Sequence, residues 1–208
     1  MRILVTSDIH SRFHNLEKIL RDVEFDLLLI SGDITNFRAI DIERADEIIS
    51  KYAPECYAVH GNCDPEIVLK MKLDSIKFIH GMTAKLDEFT LHGVGGSGPT
   101  PFKTPSEYPD SYFEKMLSKL EPHSNLNILI SHCPPYGILD LTKSGEHIGC
   151  RAVRKYASRF DVIICGHVHE AHGVERGEVF AINPGPIAWG RYAIFDTETF
   201  DVRLMKIP

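Results

Sequence analysis

Five short apolar runs, each ending at a group of polar residues, dominate the hydrophobic pattern of this chain. The runs are nearly continuous rather than alternating, which is typical of strands buried on both faces of a sheet. They occupy residues 2–7, 26–31, 56–60, 127–131 and 161–165. Segments with helical spacing fall between them, so the pattern predicts right-handed strand–helix–strand units and a largely parallel sheet.

Four of the intervening segments carry apolar residues three or four positions apart, the spacing of an amphipathic helix. Three of these apolar stripes lie within residues 16–23, 42–49 and 113–120. A fourth helix is predicted over about residues 146–160. With the five runs, these helices indicate an α/β protein.

The C-terminal third and one long loop depart from this alternation. Residues 173–183 and 191–207 each indicate a β-hairpin, and we expect both at the edge of a second sheet. Residues 93–110 hold four glycines and four prolines and are predicted to form a loop that covers a functional site. The first six residues of this loop match GxGxxG. The prolines that follow exclude the helix that dinucleotide binding requires.

Composition limits the classes of function. The 208 residues suffice for one large domain, and the net charge of −6 argues against strong binding to a nucleic-acid backbone. No apolar run reaches the ~20 residues of a membrane span, and the N-terminus does not resemble a signal peptide. The 5 cysteines are odd in number and form no CxxC motif, which favours a reducing, cytoplasmic environment.

Residues of the types that bind metals follow the five apolar runs directly. In open α/β sheets, ligands bind beyond the carboxyl ends of the strands, so we expect these side chains to share one rim. In chain order they are Asp8 and His10; Asp33; Asn62, Cys63 and Asp64; His132; and His167 and His169. Glycines at positions 32, 61 and 166 would let the backbone turn sharply at the rim.

The mixture of imidazole and carboxylate suits Mn²⁺, Fe or Zn²⁺, whereas Ca²⁺ would require nearly all oxygen. The candidate ligands exceed what one ion needs, and two ions that share a bridging carboxylate account for them better. Such a pair activates water near neutral pH and clamps a phosphate for in-line displacement. Arg12 is either a contact to a phosphate oxygen or an exposed residue at a helix start.

Five ordered motifs resemble the signature of the calcineurin-like metallophosphoesterases. They are Asp8-x-His10, Gly32-Asp33, Gly61-Asn62-x-Asp64, Ser131-His132 and Gly166-His167-x-His169. The likeness spans about residues 3–187 and is greatest to small prokaryotic members of the Icc-like predicted phosphoesterase type. It implies a single metallophosphoesterase domain over residues 1–208. Its fold would be a four-layer α/β/β/α sandwich of two mixed β-sheets flanked by helices.

The resemblance also implies a role for each residue of the rim. One metal ion would be held by Asp8, His10 and His169. The other would be held by Asn62, His132 and His167, with Asp33 as the bridge. Two divalent ions are implied, with Mn²⁺ expected and Fe, Zn²⁺ or Ni²⁺ as alternatives. A metal-held hydroxide would attack phosphorus, and the residues expected in the reaction are Asp33, Asn62, Cys63, Asp64 and His132.

Cys63 departs from the family pattern, in which a histidine usually follows the asparagine in GNHD or GNHE. That histidine is thought to protonate the leaving group, oriented by the next acid, here Asp64. A neutral thiol, with a pKa of about 8.5, is a poorer general acid near neutral pH than an imidazolium. Losing general acid catalysis, typically worth about 10²–10⁴-fold, matters most for alkoxide leaving groups. The expected substrates are therefore phosphodiesters or activated aryl phosphomonoesters.

Two other classes of function stay open from the sequence. A non-catalytic interaction scaffold would accommodate Cys63, and a retromer subunit of similar fold acts mainly through protein contacts. Against it, the set of candidate ligands is complete. The second alternative is a metal hydrolase that cuts a bond other than a phosphoester. The expected partner is a small phosphoester, without membrane or strong nucleic-acid binding, and the oligomeric state is open, with a homodimer among the alternatives.

Overall fold

Two six-stranded β-sheets pack face to face in the computed structural model, which describes residues 1–123 and 125–207. Two helices cover the outer face of each sheet, which confirms the four-layer α/β/β/α sandwich. The helices are α1 Phe13–Asp22, α2 Asp41–Tyr52, α3 Asp110–Leu117 and α4 Arg151–Tyr156. Within the described ranges, no helix combines the length and apolar character needed to cross a membrane.

The strands are short, and five of them match the five apolar runs of the sequence. Numbered along the chain, they are β1 Arg2–Thr6, β2 Leu27–Ser31, β3 Cys56–Val59, β4 Ile76–Phe78, β5 Thr83–Lys85, β6 Thr90–Val94, β7 Asn127–Ser131, β8 Val162–Ile164, β9 Gly173–Arg176, β10 Phe180–Asn183, β11 Arg191–Asp196 and β12 Val202–Lys206.

Both sheets are parallel at the centre; the first is antiparallel at one edge and the second at both. The first has the order β12-β11-β1-β2-β3-β4, in which β11 and β12 are the antiparallel strands. The second has the order β5-β6-β7-β8-β10-β9, in which β5 and β9 are antiparallel to their neighbours. The parallel centres place the carboxyl ends of several strands at one edge of each sheet.

Alternation along each strand explains why the central runs are apolar throughout. In β1, Ile3 and Val5 pack in the core between the sheets, whereas Leu4 packs against the helices. Strand β2 repeats this pattern. Both faces of a central strand are therefore buried, and each fully buried Leu, Ile or Val contributes roughly 1.5–3 kcal/mol.

Helices α1 and α2 confirm the predicted stripes and cover the first sheet. Helix α1 buries Leu16, Ile19 and Leu20, and α2 buries the stripe that includes Ile42 and Ile49. Both helices start near a strand end that carries candidate ligands. Burial of their apolar faces thus fixes the loops that follow β1 and β2.

The fourth helix begins later than predicted, so residues 146–150 were wrongly assigned to it. Helix α4 starts at Arg151, and the Cys150 sulfur caps it by accepting from the Val153 N–H at 3.5 Å. Upstream, the buried Asp140 carboxylate accepts from the N–H groups of Gly137 and Gly149, each at 2.9 Å. A side chain that captures backbone donors in this way stabilises a turn at the expense of a helix.

The two C-terminal hairpins lie in different sheets. The hairpin of β9 and β10 is at the edge of the second sheet, as predicted. The prediction was wrong for β11 and β12, because β11 pairs with β1 in the first sheet, with Ile3 opposite Phe195. Strands β4, β5 and β6 were not predicted, and β6 takes in the first two residues of the segment 93–110.

Candidate metal centre

The side chains predicted at the rim follow strands of both sheets. From the first sheet, Asp8 and His10 follow β1, and Asp33 follows β2. The remaining ones are Asn62, Cys63 and Asp64 after β3, His132 after β7, and His167 and His169 after β8. Ligand atoms from the two sheets meet at one edge of the sandwich.

Asp8, His10 and His169 form one group of potential ligands whose atoms lie within 4.8 Å of one another. Nε2 of His169 is 3.2 Å from Oδ1 of Asp8 and 3.3 Å from Nε2 of His10. One carboxylate and two imidazoles thus converge on a common volume. This donor set suits a divalent transition metal ion.

Asp33 lies between histidines from the two sheets. Its Oδ2 is 3.6 Å from Nε2 of His10 and 3.5 Å from Nε2 of His132. Asp8, Asp33 and His132 form a further group within the same 4.8 Å limit, and all three are buried. The Asp33 carboxylate could therefore contact two ions, one on each side.

One nitrogen of His132 faces the amide oxygen of Asn62, and each of these atoms can act as an acceptor. His132 Nδ1 lies 2.7 Å from the carbonyl oxygen of Ser31, which can only accept, so Nδ1 carries a hydrogen, and in the neutral ring that binds metals Nε2 has a lone pair. Nε2 is 2.9 Å from Oδ1 of Asn62, which also offers a lone pair. A cation against both atoms removes their repulsion. This buried pair is the clearest sign that the residues fit a metal ion.

His167 flanks this pair, with its ring centroid 5.1 Å from that of His132. Burial and the neighbouring His132 lower the pKa of His167 to about 4, so its imidazole is neutral at physiological pH. Neutral imidazole is the form that binds metals. Asn62, His132 and His167 could together hold a second ion.

Asp8 and His169 stabilise each other's charged forms. Burial opposes the charge of Asp8, but the hydrogen bond and charge of His169 outweigh it and hold the pKa of Asp8 well below its usual range. Burial likewise lowers the pKa of His169, yet the contact with Asp8 prevails and raises it. Asp8 is therefore a carboxylate throughout the physiological pH range, as a ligand to a cation must be.

Several candidate ligands have strained backbones. The φ angle is 52° at Asp8, 45° at His10, 50° at Asp33 and 66° at His167. For residues other than glycine, this left-handed region costs of order 1–3 kcal/mol each. Such strain persists only where the surrounding fold imposes it, and it concentrates at functional sites.

Two of the glycines at the rim meet different needs. Gly32 has a φ of 93°, which confirms the sharp turn predicted there. Gly61 has no such angle and lies against Asp33, where a Cβ would overlap the carboxylate. At position 61, glycine is required by close approach and not by a turn.

Cys63 contacts the bridging candidate directly. Its N–H donates to Oδ1 of Asp33 at 2.7 Å. Its sulfur lies within 4.8 Å of ligand atoms of His10 and Asp33, and Cys63 lines the cavity above them. The thiol thus lies beside the candidate ligands, at the rim where the sequence predicts it.

Asp64 ties the loops after β2 and β3 together. Its carboxylate accepts from the N–H groups of Ile34, Thr35 and Gly61 at 3.1, 2.7 and 2.8 Å. Burial and the charge of Asp33 raise the pKa of Asp64 to about 6, against the effect of these donors. Because backbone groups engage both oxygens, Asp64 positions the loops that carry Asp33 and Asn62.

Thr104 is a site residue that the sequence did not identify. Its hydroxyl accepts from Nδ2 of Asn62 at 3.0 Å and donates to Glu107 at 2.6 Å. The other side of the Asn62 amide, Oδ1, thereby faces His132. The only feature of the sequence that pointed to Thr104 was the length of the segment 93–110. This length predicts a loop that covers the site but no particular contact. Arg12, the candidate phosphate contact, is exposed and precedes α1.

Comparison with known proteins agrees with this geometry. The model of the calcineurin-like phosphoesterase family matches residues 1–171. The chain is 32% identical over 210 residues to the uncharacterized protein MJ1162 of Methanocaldococcus jannaschii, covering 95% of this chain and 93% of that protein.

Two solved structures share the fold. TT1561 of Thermus thermophilus superposes with a TM-score of 0.73 at 18% identity, covering 100% of this chain and 99% of that one. An archaeal phosphodiesterase superposes with a TM-score of 0.55 at 19% identity, covering 100% of both chains. With the family match over most of the chain, these findings lead to one assignment. The chain belongs to the calcineurin-like phosphoesterase family and is a metal-dependent phosphoric ester hydrolase.

Proposed function

We propose that this protein is a dinuclear-metal phosphoesterase that hydrolyses phosphodiesters and activated aryl phosphomonoesters. The observation that carries the proposal is the position of Asp33. Its Oδ2 lies 3.6 Å from His10 and 3.5 Å from His132, histidines that belong to different sheets. A carboxylate between two sets of nitrogen donors fits the bridging ligand of a two-metal centre.

The remaining candidate ligands divide around Asp33 into two sets. One set is Asp8, His10 and His169, and the other is Asn62, His132 and His167. Two divalent ions held there would supply an activated water and neutralise the charge of the phosphate. The oxygen and imidazole donors support Mn²⁺ as the metal, with Fe, Zn²⁺ or Ni²⁺ as alternatives.

The chain itself contributes by holding the ligand atoms in place. The Ser31 carbonyl fixes the His132 ring, Asp64 fixes two ligand loops and Thr104 fixes the Asn62 amide. Ligands positioned before the ions and substrate arrive need little reorganisation during the reaction. Contacts of this kind orient metal ligands and tune their affinity.

Cys63 supports the choice of substrates. It lines the cavity next to Asp33, where a proton donor for the leaving group would stand. A thiol is a weak donor, so an ester whose leaving oxygen needs no proton is the better substrate. Aryl esters meet this condition, and alkyl esters do not.

The test is a metal-dependence assay on purified protein. The chain is stripped with a chelator, reloaded with Mn²⁺ and supplied with an aryl phosphodiester, an aryl monoester and a dialkyl diester. We expect turnover of the aryl esters only after reloading, and loss of that turnover in Asp33→Asn. Glu198→Gln, a change at an exposed residue of the β11–β12 turn, is the matched control.

Elemental analysis of the reloaded protein makes the result decisive. Two bound ions without turnover of any ester would refute the enzymatic proposal and favour an interaction scaffold. Turnover that releases no phosphate or phosphomonoester product would instead indicate a hydrolase of another bond.

A further inference from the structure

The cavity above the candidate metal centre has an apolar wall. The cavity has a volume of about 400 Å³, and its floor includes Asp33 and His169. Around its mouth stand Phe37, Phe102 and Ile148, here called the apolar wall. Among the described residues that line the cavity, none is a lysine or an arginine.

The apolar wall is unusually exposed for side chains of its kind. Phe102 is 83% exposed, Phe37 52% and Ile148 43%. Large apolar side chains normally lie inside a domain, and contiguous exposed ones mark a binding surface. Here they adjoin the residues proposed to do the chemistry, which indicates contact with the substrate.

Phe37 is held in place by its backbone. Its φ angle is 67°, in the left-handed region that aromatic residues rarely adopt. Its N–H donates to the carbonyl oxygen of Cys63 at 3.1 Å, which joins the loop after β2 to the loop after β3. A strained residue that keeps an aromatic ring exposed beside a reacting centre points to a function for that ring.

Phe102 stands on an ordered turn. The Glu107 carboxylate accepts from the hydroxyls of Thr100 and Thr104 at 2.5 and 2.6 Å. The Phe102 N–H donates to the Thr100 hydroxyl at 3.2 Å. Burial opposes the charge of Glu107, but these hydrogen bonds outweigh it and lower its pKa to about 2. The turn therefore presents an exposed ring on a fixed backbone.

Charge distinguishes the esters that this cavity suits. A phosphomonoester carries two negative charges near neutral pH, and proteins commonly bind the extra charge with arginine or lysine. A phosphodiester carries one, which the metal ions can neutralise. A described lining without lysine or arginine but with aromatic rings fits a diester that bears an apolar, flat substituent.

We propose that the apolar wall is a subsite for an aromatic group on the retained, non-leaving side of a phosphodiester, a proposal that rests on the function given above. The group is either a simple aryl ring or a nucleobase, since both offer a flat apolar face. Phe37 and Phe102 would pack against that face while the phosphate lies over Asp33. Substrate preference would then come from the aromatic group and not from a charged clamp.

Binding is tested ahead of turnover, by stopped-flow fluorescence of the single tryptophan of the chain. The Trp189 ring lies 5.3 Å from the ring of His169, so its fluorescence reports on the site. We expect Mn²⁺-loaded protein to bind diphenyl phosphate about tenfold more tightly than dimethyl phosphate, as stacking on aromatic side chains provides. Phe102→Ala and the double variant with Phe37→Ala should lower that preference to about twofold, whereas the exposed Met82→Ala should not.

Turnover is tested with three diesters that share one leaving group. They are 4-nitrophenyl phosphates whose second substituent is methyl, phenyl or thymidine. We expect the apolar-wall variants to raise KM for the phenyl or thymidine ester and to leave the methyl ester unchanged. A preference confined to thymidine assigns the subsite to a nucleobase, and one shared with phenyl assigns it to any aromatic ring.

The outcomes separate this proposal from the proposed function. Turnover of all three esters with equal KM, and equal binding of both phosphates, overturns the subsite but not the enzyme. Preferential binding of diphenyl phosphate without any turnover overturns the enzyme but supports the subsite. Self-association that Phe102→Ala disperses, without a binding preference, would show that a second copy covers the wall and would overturn the subsite.

Discussion

The side-chain amide of Asn62 donates a hydrogen bond to the hydroxyl of Thr104, at 3.0 Å. This contact joins a candidate metal ligand to the segment 93–110, which the sequence predicted only as a cover. Thr104 in turn donates to Glu107, so its only hydrogen is engaged and the hydroxyl can meet Asn62 only as an acceptor. The long loop thus sets which side of the Asn62 amide faces His132.

Thr104→Val should weaken the metal centre without unfolding the chain. The valine keeps the shape of threonine but removes the acceptor, so the Asn62 amide loses its fixed orientation. Loss of a contact that orients a ligand typically lowers metal affinity or activity about 10–100-fold. Calorimetric titration of metal-free protein with Mn²⁺ measures the effect. Thr104→Ser keeps the hydroxyl and should bind as wild type does; equal weakening in both variants would exclude this role.

Gly61→Ala should displace the bridging candidate. A methyl group at position 61 would overlap both the carboxylate and the backbone nitrogen of Asp33, so this residue has to move away from His10 and His132. We expect loss of at least one of two bound ions, measured by elemental analysis, and loss of turnover. Gly177→Ala is the matched control, because its added methyl would meet only the end of the Glu175 side chain, at 3.2 Å. Normal metal content in Gly61→Ala would contradict the placement of Asp33.

Cys63→His should change which leaving groups are cut. An imidazolium at this position donates a proton that the thiol gives up poorly, so turnover of alkyl esters should rise relative to aryl esters. The measurement is the ratio of kcat/KM for an alkyl and an aryl diester that share their second substituent. Cys63→Ser, which cannot supply an imidazolium, should leave the ratio as it is. A parallel change for both esters in Cys63→His would show that position 63 does not protonate the leaving group.

The stability of the metal-free protein should fall as the pH is lowered, in part because of His80. Its Nδ1 accepts from the Gly95 N–H at 2.8 Å and its Nε2 contacts the Tyr112 hydroxyl at 2.8 Å. Burial lowers the pKa of His80 from 6.5 to about 4. The unfolded chain therefore takes up the proton first. The contribution of His80 to the stability of the folded state is complete above pH 6.5 and is lost as the pH falls toward 4.

Urea unfolding at about pH 7 and about pH 4.5 measures the effect. The lowered pKa of His80 corresponds to a loss of on the order of 3 kcal/mol in the free energy of unfolding as the pH falls from 6.5 to about 4. His80→Gln does not titrate and should lose less stability on acidification than the wild type. His14→Gln, at an exposed histidine of α1, should behave like the wild type. Equal pH dependence in all three proteins would contradict the role of His80.

The sequence predicts the parts of the site that depend on strand ends. Asp8, Asp33 and His132 each follow an apolar run; the parallel strands of each sheet bring such positions to one edge, and the packing of the two sheets joins these edges. The continuous apolar character of β1 and β2 likewise follows from burial on both faces. These features can be predicted because each follows from a local pattern of residues.

The features that the sequence did not predict depend on contacts between distant segments. Thr104 reaches Asn62 across 42 positions, and no local periodicity marks that pair. Asp140 delays the start of the predicted fourth helix because it captures the N–H groups of Gly137 and Gly149. Strand β11 joins the first sheet by pairing with the N-terminal β1, a choice that its own alternation does not encode.

The division of the ligands between the sheets has a consequence for how the protein opens. Asp8, Asp33 and Asn62 belong to the first sheet, whereas His132, His167 and His169 belong to the second. Bound ions would therefore act as cross-links between two halves that otherwise meet through side-chain packing and hydrogen bonds such as the one from His132 to the Ser31 carbonyl. Backbone amides in β2 and β7, strands of opposite sheets, should become slower to exchange with deuterium together when metal is added, as one cooperative unit.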